Sequence, residues 1–126
     1  MNNLEQVRAR HALEYWKNAP TSEGKNGGDV VSGLSATIIN NGLLSMISFA
    51  IDKKGGHLRL INNICQYLSQ ERKIFNVTLT SDNSGITYLD TLSNVSSIAL
   101  QQATDEALAY LTYLKRLKPA EGQKDE

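Results

Sequence analysis

The groups in this 126-residue chain that could do chemistry are few: two histidines, one cysteine and scattered carboxylates. His11 and His57 stand far apart, and neither has a cysteine nearby or a second ligand at i+4. The spacing of a zinc site is therefore missing. His11 falls on the apolar stripe of an opening helical segment, which makes it a hydrogen-bonded core histidine. His57 follows Gly55-Gly56 at a helix start and reads as a surface residue. Asp105 and Glu106 are adjacent, but neighbouring helical side chains point about 100° apart and cannot converge on one bond. Turned inward, Glu106 would hold a cation; turned outward it is one more solvated carboxylate, and the second is the simpler reading. Gly24, Gly27 and Gly28 lack the Gly-Lys-Ser/Thr ending of a phosphate loop, and no Gly-x-Ser-x-Gly frames any serine. The expectation is a non-enzyme without metal or cofactor.

The remaining chemistry is cationic. Arg8 and Arg10 on the first helical segment, then Lys53, Lys54 and Arg59, with Arg72 and Lys73 beyond, could touch several phosphates if they share a face. Such contacts release counterions and give salt-sensitive affinity that is blind to sequence. A solubilising surface is the bland alternative. No strand carries the stacking aromatics of an RNA-recognition sheet, and no helix-turn-helix is evident. Thirteen basic and thirteen acidic side chains cancel, so no global field draws in a polyanion. The halves are less even. Residues 1–73 carry nine basic and six acidic groups (+3), and residues 74–126 carry four and seven (−3). A nucleic-acid contact belongs on the first part.

The elements that must position these groups follow from hydrophobic spacing. Leu4, Val7, His11 and Tyr15 step along a helix over 3–18, with Ala9, Ala12 and Trp16 widening the face, and Pro20 ends it. Residues 19–29 have loop composition and are expected to be a flexible loop. A second helix begins near Asp29 or Ser32 and carries Leu34 and Ile38. Asn41-Gly42 caps or kinks it, and Leu43, Met46, Ile47, Ala50 and Ile51 resume the period. Lys53-Lys54 suit a helix C-terminus, closed by Gly55-Gly56. Residues 57–72 form the next helix, with Leu58, Ile61, Ile64, Cys65 and Leu68 on one stripe and Leu60 and Tyr67 flanking it. Cys65 on that stripe is a core residue. Residues 74–85 fit either an irregular connection or a short hairpin turning at Ser81–Gly85. Ile86, Leu89 and Leu92 restore helical spacing. From Asn94 or Ser96 a long helix presents Leu100, Ala103, Ala107, Leu111 and Leu114, with Tyr110, Tyr113 and Leu117 alongside. The sum is an all-α bundle of about five to six helices in one domain, 1–118, followed by a charged, disordered tail, 119–126. The opening residues lack the plan of a signal peptide, no apolar run approaches ~18 residues, and a lone cysteine gives no disulfide framework. The chain reads as cytoplasmic.

Three stretches give a more specific reading. Ile39-Asn-Asn-Gly-Leu-Leu-Ser-Met-Ile-Ser-Phe-Ala-Ile-Asp-Lys-Lys54 resembles a run in the small helical subunit of type III-B (Cmr) CRISPR ribonucleoprotein complexes: helix, Asn-Gly-Leu, apolar helix with a phenylalanine, then lysine. Gln102-Ala-Thr-Asp-Glu-Ala-Leu-Ala-Tyr-Leu-Thr-Tyr-Leu-Lys-Arg116 is similar to that family's closing helix, with Tyr113 where tryptophan is usual. Arg8-Ala-Arg-His-Ala12 fits its first helix. The resemblance implies a non-catalytic structural subunit of an antiviral, RNA-guided complex. It would stack with copies of itself beside the backbone subunits and help hold guide RNA and target RNA through backbone contacts, with no membrane partner. Lys53 and Lys54 match the family's lysine after the apolar helix, and Arg8 and Arg10 match its basic opening helix; Arg59 completes the candidate set. The competing reading is a helical protein–protein adaptor using Leu43, Met46 and Phe49 or the C-terminal tail, and a third is a hydrolase or nuclease.

Overall fold

The computed structural model describes residues 3–18, 21–77 and 84–117, the stretch 21–29 by its backbone. Among these residues it is all-helical: α1 (Leu4–Asn18), α2 (Thr21–Asn41), α3 (Leu43–Lys53), α4 (Gly55–Gln66), α5 (Ser84–Ser93) and α6 (Ser97–Leu117). One turn of π-helix, Tyr67–Glu71, extends α4. No described residue is in a strand. Residues 1, 2, 19, 20, 78–83 and 118–126 lie outside the description, and with them the body of the proposed hairpin and the expected tail.

Local sequence explains most of the boundaries. Asn3 and Gln6 close α1 reciprocally: the Gln6 amide donates to Asn3 Oδ1 at 2.8 Å, and the Asn3 amide to Gln6 Oε1 at 3.0 Å. This is a capping box, which satisfies two otherwise orphaned donors. Ser96 caps α6 by accepting the Ala99 amide at 3.1 Å. Gly42, at φ +94°, makes the corner between α2 and α3 and still donates its own amide to Ile38 O at 2.9 Å.

Three expectations are corrected. The backbone of residues 21–29 is helical, not a loop, so α2 begins a full two turns before Asp29. Each glycine there costs about 1 kcal/mol relative to alanine, but propagation from an already nucleated, packed half adds a hydrogen bond per residue. Gly55-Gly56 do not close α3; they open α4, and the corner falls on Lys54. Gly85 does not end a turn, because α5 already includes it. A β-carbon at Gly85 would lie 2.8 Å from Leu58 Cδ1 and 3.3 Å from Ile51 Cγ1, so the missing side chain lets α5 seat closely on α3 and α4.

Helix α2 packs against α3, α4 and α6; α1 packs on α6, and α5 on α3 and α4. The shared core contains Trp16, Val31, Leu34, Met46, Ile47, Ile61, Ile64, Tyr67, Tyr88, Tyr110 and Leu114, with Cys65 fully enclosed. Burying each large side chain contributes about 1.5–3 kcal/mol. Burial also pushes the Cys65 thiol up, which leaves it a packing group. Trp16 adds a bond from Nε1–H to Leu114 O at 3.0 Å, fixing the end of α1 on α6.

Candidate nucleic-acid interface

The π-helical turn is where the bundle departs most from a regular helix. Arg72 N–H reaches back to Tyr67 O at 3.0 Å, an i→i+5 bond, and Ile74 N–H to Leu68 O at 3.0 Å. The widened turn buries Tyr67, Leu68 and Ser69 in succession, so Tyr67 belongs to the core and not to a flank. Its ring stacks on Tyr110, with centroids 4.3 Å apart and planes 14° from parallel. Its hydroxyl donates to Glu106 Oε2 at 2.5 Å.

Glu106 is therefore turned inward, not solvated. Arg8 grips it with two bonds, Nε to Oε2 and Nη2 to Oε1, each 2.8 Å. Arg72 Nε lies 3.6 Å from Oε2. Burial alone would raise the Glu106 pKa, but hydrogen bonds from Arg8 and Tyr67 and the charges of Arg8 and Arg72 outweigh it and hold the carboxyl below its ordinary value. The same bond raises the Arg8 pKa. A signal for this network exists in the sequence: Glu106 lies at i+3 from Ala103 and i−4 from Tyr110, a carboxylate on an apolar stripe.

Beside it sits His11, half-buried as a core histidine should be. Its Nδ1 is 2.7 Å from the Tyr110 hydroxyl, which also receives Asn63 Nδ2–H at 2.7 Å. The direction of the His11–Tyr110 bond follows the imidazole tautomer: with the ring proton on Nε2, Nδ1 accepts the hydroxyl proton, and with it on Nδ1 the ring donates to the hydroxyl oxygen. Burial lowers the His11 pKa, against a smaller opposing pull from Glu71; Arg10 lowers it further and Glu14 raises it. The folded state then binds fewer protons than the unfolded one as pH drops below the ordinary value of 6.5. Melting temperature should fall from that pH downward and level off once the folded ring protonates. A second loss should set in below 4.5, where the depressed Glu106 carboxyl begins to matter. His11→Gln should shrink the first step in melts across pH 4–7 and leave the share of His57, whose pKa is lowered from the same value; an unaltered profile would exclude His11 as a source.

The candidate cations fall into two groups. Lys53, Lys54 and Arg59 share the corner where α3 meets α4, and all three are exposed. Lys53 Nζ lies 5.5 Å from the Phe49 ring centroid, within cation–π range. His57 meets the same ring edge-on at 5.6 Å, partly buried and not fully at the surface. Burial lowers its pKa, and Lys53 lowers it further. Lys54 has φ 62° and ψ −165°, a region populated almost solely by glycine. Strain there is worth about 1–3 kcal/mol, while glycine's extra chain entropy costs about 0.5–1 kcal/mol. Lys54→Gly should thus raise stability by about 1 kcal/mol, visible as a higher melting temperature; a lower one would show that the corner is not strained.

Arg8 and Arg10 lie on α1, away from that corner. Arg10 is exposed, whereas the Arg8 guanidinium is engaged by Glu106 and only 19 % of its side chain is open. Helix α4 opens at the corner without a side-chain cap, its first residues being Gly55, Gly56 and His57. The first amides of a helix have no intrahelical partner, and two lysines adjoin this helix start, an arrangement that favours an anion.

Among the described residues no three His, Cys, Asp or Glu side chains gather as a metal site, and no helix is long and apolar enough to cross a membrane. The architecture is that of a small α-helical bundle protein, locked by a buried ion-pair centre and carrying an exposed cationic corner. The family model described as CRISPR-associated protein (Cas_Cmr5) matches residues 4–121. The chain belongs to that family, the small subunit of type III-B CRISPR complexes. No curated protein and no solved structure matches it.

Proposed function

We propose that this protein is a non-catalytic, structural subunit of a cytoplasmic type III-B antiviral complex, stacking with copies of itself beside the backbone subunits and helping to hold the guide RNA–target RNA duplex. The observation that carries this reading is the family match over residues 4–121, nearly the whole chain. The α3–α4 corner supports the RNA part. Lys53 and Lys54, flanking an uncapped glycine-led helix start, suit phosphate, and Arg59 extends the same surface. Base pairing with the guide would supply sequence specificity, so backbone recognition suffices. Arg10 would add a contact from α1. Arg8 serves the bundle first, since meeting a phosphate would mean releasing Glu106. Exposed Ile39 and Ile98, 68 % and 74 % open, suit protein neighbours.

The adaptor alternative is weakened at the first of its two contact surfaces; the second, the C-terminal tail, lies outside the described residues. Leu43 and Met46 are buried in the core because they form the inward stripe of α3, and Phe49 is half-covered. Purification of the tagged chain from its native cell, with sequencing of the copurified RNA, tests the proposal. Short repeat-derived guides arriving with larger Cmr proteins are expected. Protein partners without guide RNA would overturn it.

A further inference from the structure

A cleft beside the π-helical turn takes no part in the reading above. It is open to solvent, has a volume of about 430 Å³ and is lined by Arg72, Lys73, Ile74, Gln102, Asp105 and Glu106. That volume falls within the roughly 300–1,000 Å³ of small-ligand sites. Three features of its lining bear on what it could hold.

Glu106 is already satisfied by Arg8 and Tyr67. Arg72 is not: its Nε is buried against Glu106 without a hydrogen bond, while 33 % of the side chain stays open. The charge of Glu106 thus anchors Arg72 without using up its fork of donors. Asp105 is exposed, and its Oδ1 receives Gln101 Nε2–H at 2.9 Å, which steadies the carboxylate and leaves Oδ2 unspoken for by that bond. Lys73 is exposed beside them, on a backbone at φ +54° that few side chains adopt.

This set selects against simple ions. An isolated anion meets Asp105, and an isolated cation meets Arg72 and Lys73. A fitting ligand must offer acceptors to Arg72, donors to Asp105 and a negative group to Lys73. Among the nucleobases only guanine has that pattern: O6 and N7 accept from an arginine fork, and N1–H and the N2 amino group donate to a carboxylate. Adenine would turn its amino group toward Arg72 and its N1 lone pair toward Asp105. Cytosine can donate to Asp105 but lacks the O6/N7 pair, and uracil would bring a carbonyl toward the carboxylate.

We propose that this cleft is a binding site for an unpaired guanine nucleotide, the base held between Arg72 and Asp105 over Ile74, with its phosphate on Lys73. The site lies apart from the α3–α4 corner and does not depend on phosphate contacts there.

The test is a titration of the full-length, ¹⁵N-labelled chain with GMP, AMP, CMP, UMP and inorganic phosphate, each to about 10 mM, followed by two-dimensional NMR. GMP should shift Arg72, Lys73, Ile74, Gln102 and Asp105 in a saturating manner, at least about tenfold more tightly than the other nucleotides. Asp105→Asn should weaken GMP about tenfold and leave the thermal melt unchanged, since Asp105 is a surface residue. Arg72→Met should abolish GMP binding; because Arg72 also faces Glu106, the Asp105 variant is the decisive one. No shift with GMP, equal shifts with all four nucleotides, the same shifts with phosphate alone, or an unaffected Asp105→Asn would each overturn the proposal. So would resonances that respond only to other Cmr proteins, which would make the cleft a protein interface. None of these outcomes bears on copurification of guide RNA, so this proposal can fail while the subunit reading stands.

Discussion

Glu106→Ala should destabilise the bundle by about 3–5 kcal/mol, because it leaves Arg8 and Arg72 facing each other with no charge between them. The Glu106 side chain is 7 % exposed and that of Arg8 19 %, so solvent screens the loss little. Tyr67 also loses the acceptor of its hydroxyl, and an unsatisfied buried donor costs about 1–3 kcal/mol by itself. The combined Glu106→Leu, Arg8→Leu variant should recover the part of the loss due to Arg8, while Tyr67 and Arg72 still lack their partner. Paired apolar replacements of a buried ion pair are often neutral, whereas removing one partner is not. Urea unfolding of the single and double variants measures both. A Glu106→Ala cost under about 1 kcal/mol would place this pair with ordinary surface ion pairs and remove the network as the lock between α1 and α6.

Charge reversal at the α3–α4 corner should have the largest functional effect. On the proposed interface, Lys53→Glu with Lys54→Glu would turn two attractive phosphate contacts into two repulsive ones. In the assembled complex, affinity for target RNA should drop on the order of 100-fold at moderate salt, and the slope of log affinity against log salt should become shallower by about 2. Lysine and glutamate are equally strained at position 54, so the reversal tests charge alone, while Lys54→Gly tests the backbone. Arg10→Glu should cost less, about tenfold, as a single contact. Unchanged affinity and salt slope in a complex that still assembles would move the RNA contacts off this corner.

How far these sites were legible depends on the separation between the residues that build them. The core stripes of α1, α3, α4 and α6 rest on positions three and four apart, so periodicity finds Ala12, Met46, Ile47, Ile61, Ile64, Ala107 and Leu111 directly. Lys53, Lys54 and Arg59 are near neighbours in the chain, and their shared corner is likewise a local matter. The Glu106 centre is different. Its partner Arg8 is 98 positions away and Tyr67 39. Locally, Arg8 is only a cation on a helix, and there it reads as a phosphate contact.

The sequence by itself determined the all-helical class, the inward faces of its helices and, through three ordered motifs, the family. All of these are recorded in spacing along the chain. Only the tertiary structure decided which charges remain available. Packing α1 on α6 commits Arg8 to Glu106, the π-helical turn brings Tyr67 and Arg72 to the same carboxylate, and the corner at Lys54 leaves the lysines outward. Helix preference extends over a few residues, whereas the cost of burying a charge depends on what lies within a few ångströms in space; that proximity is created only when the helices pack.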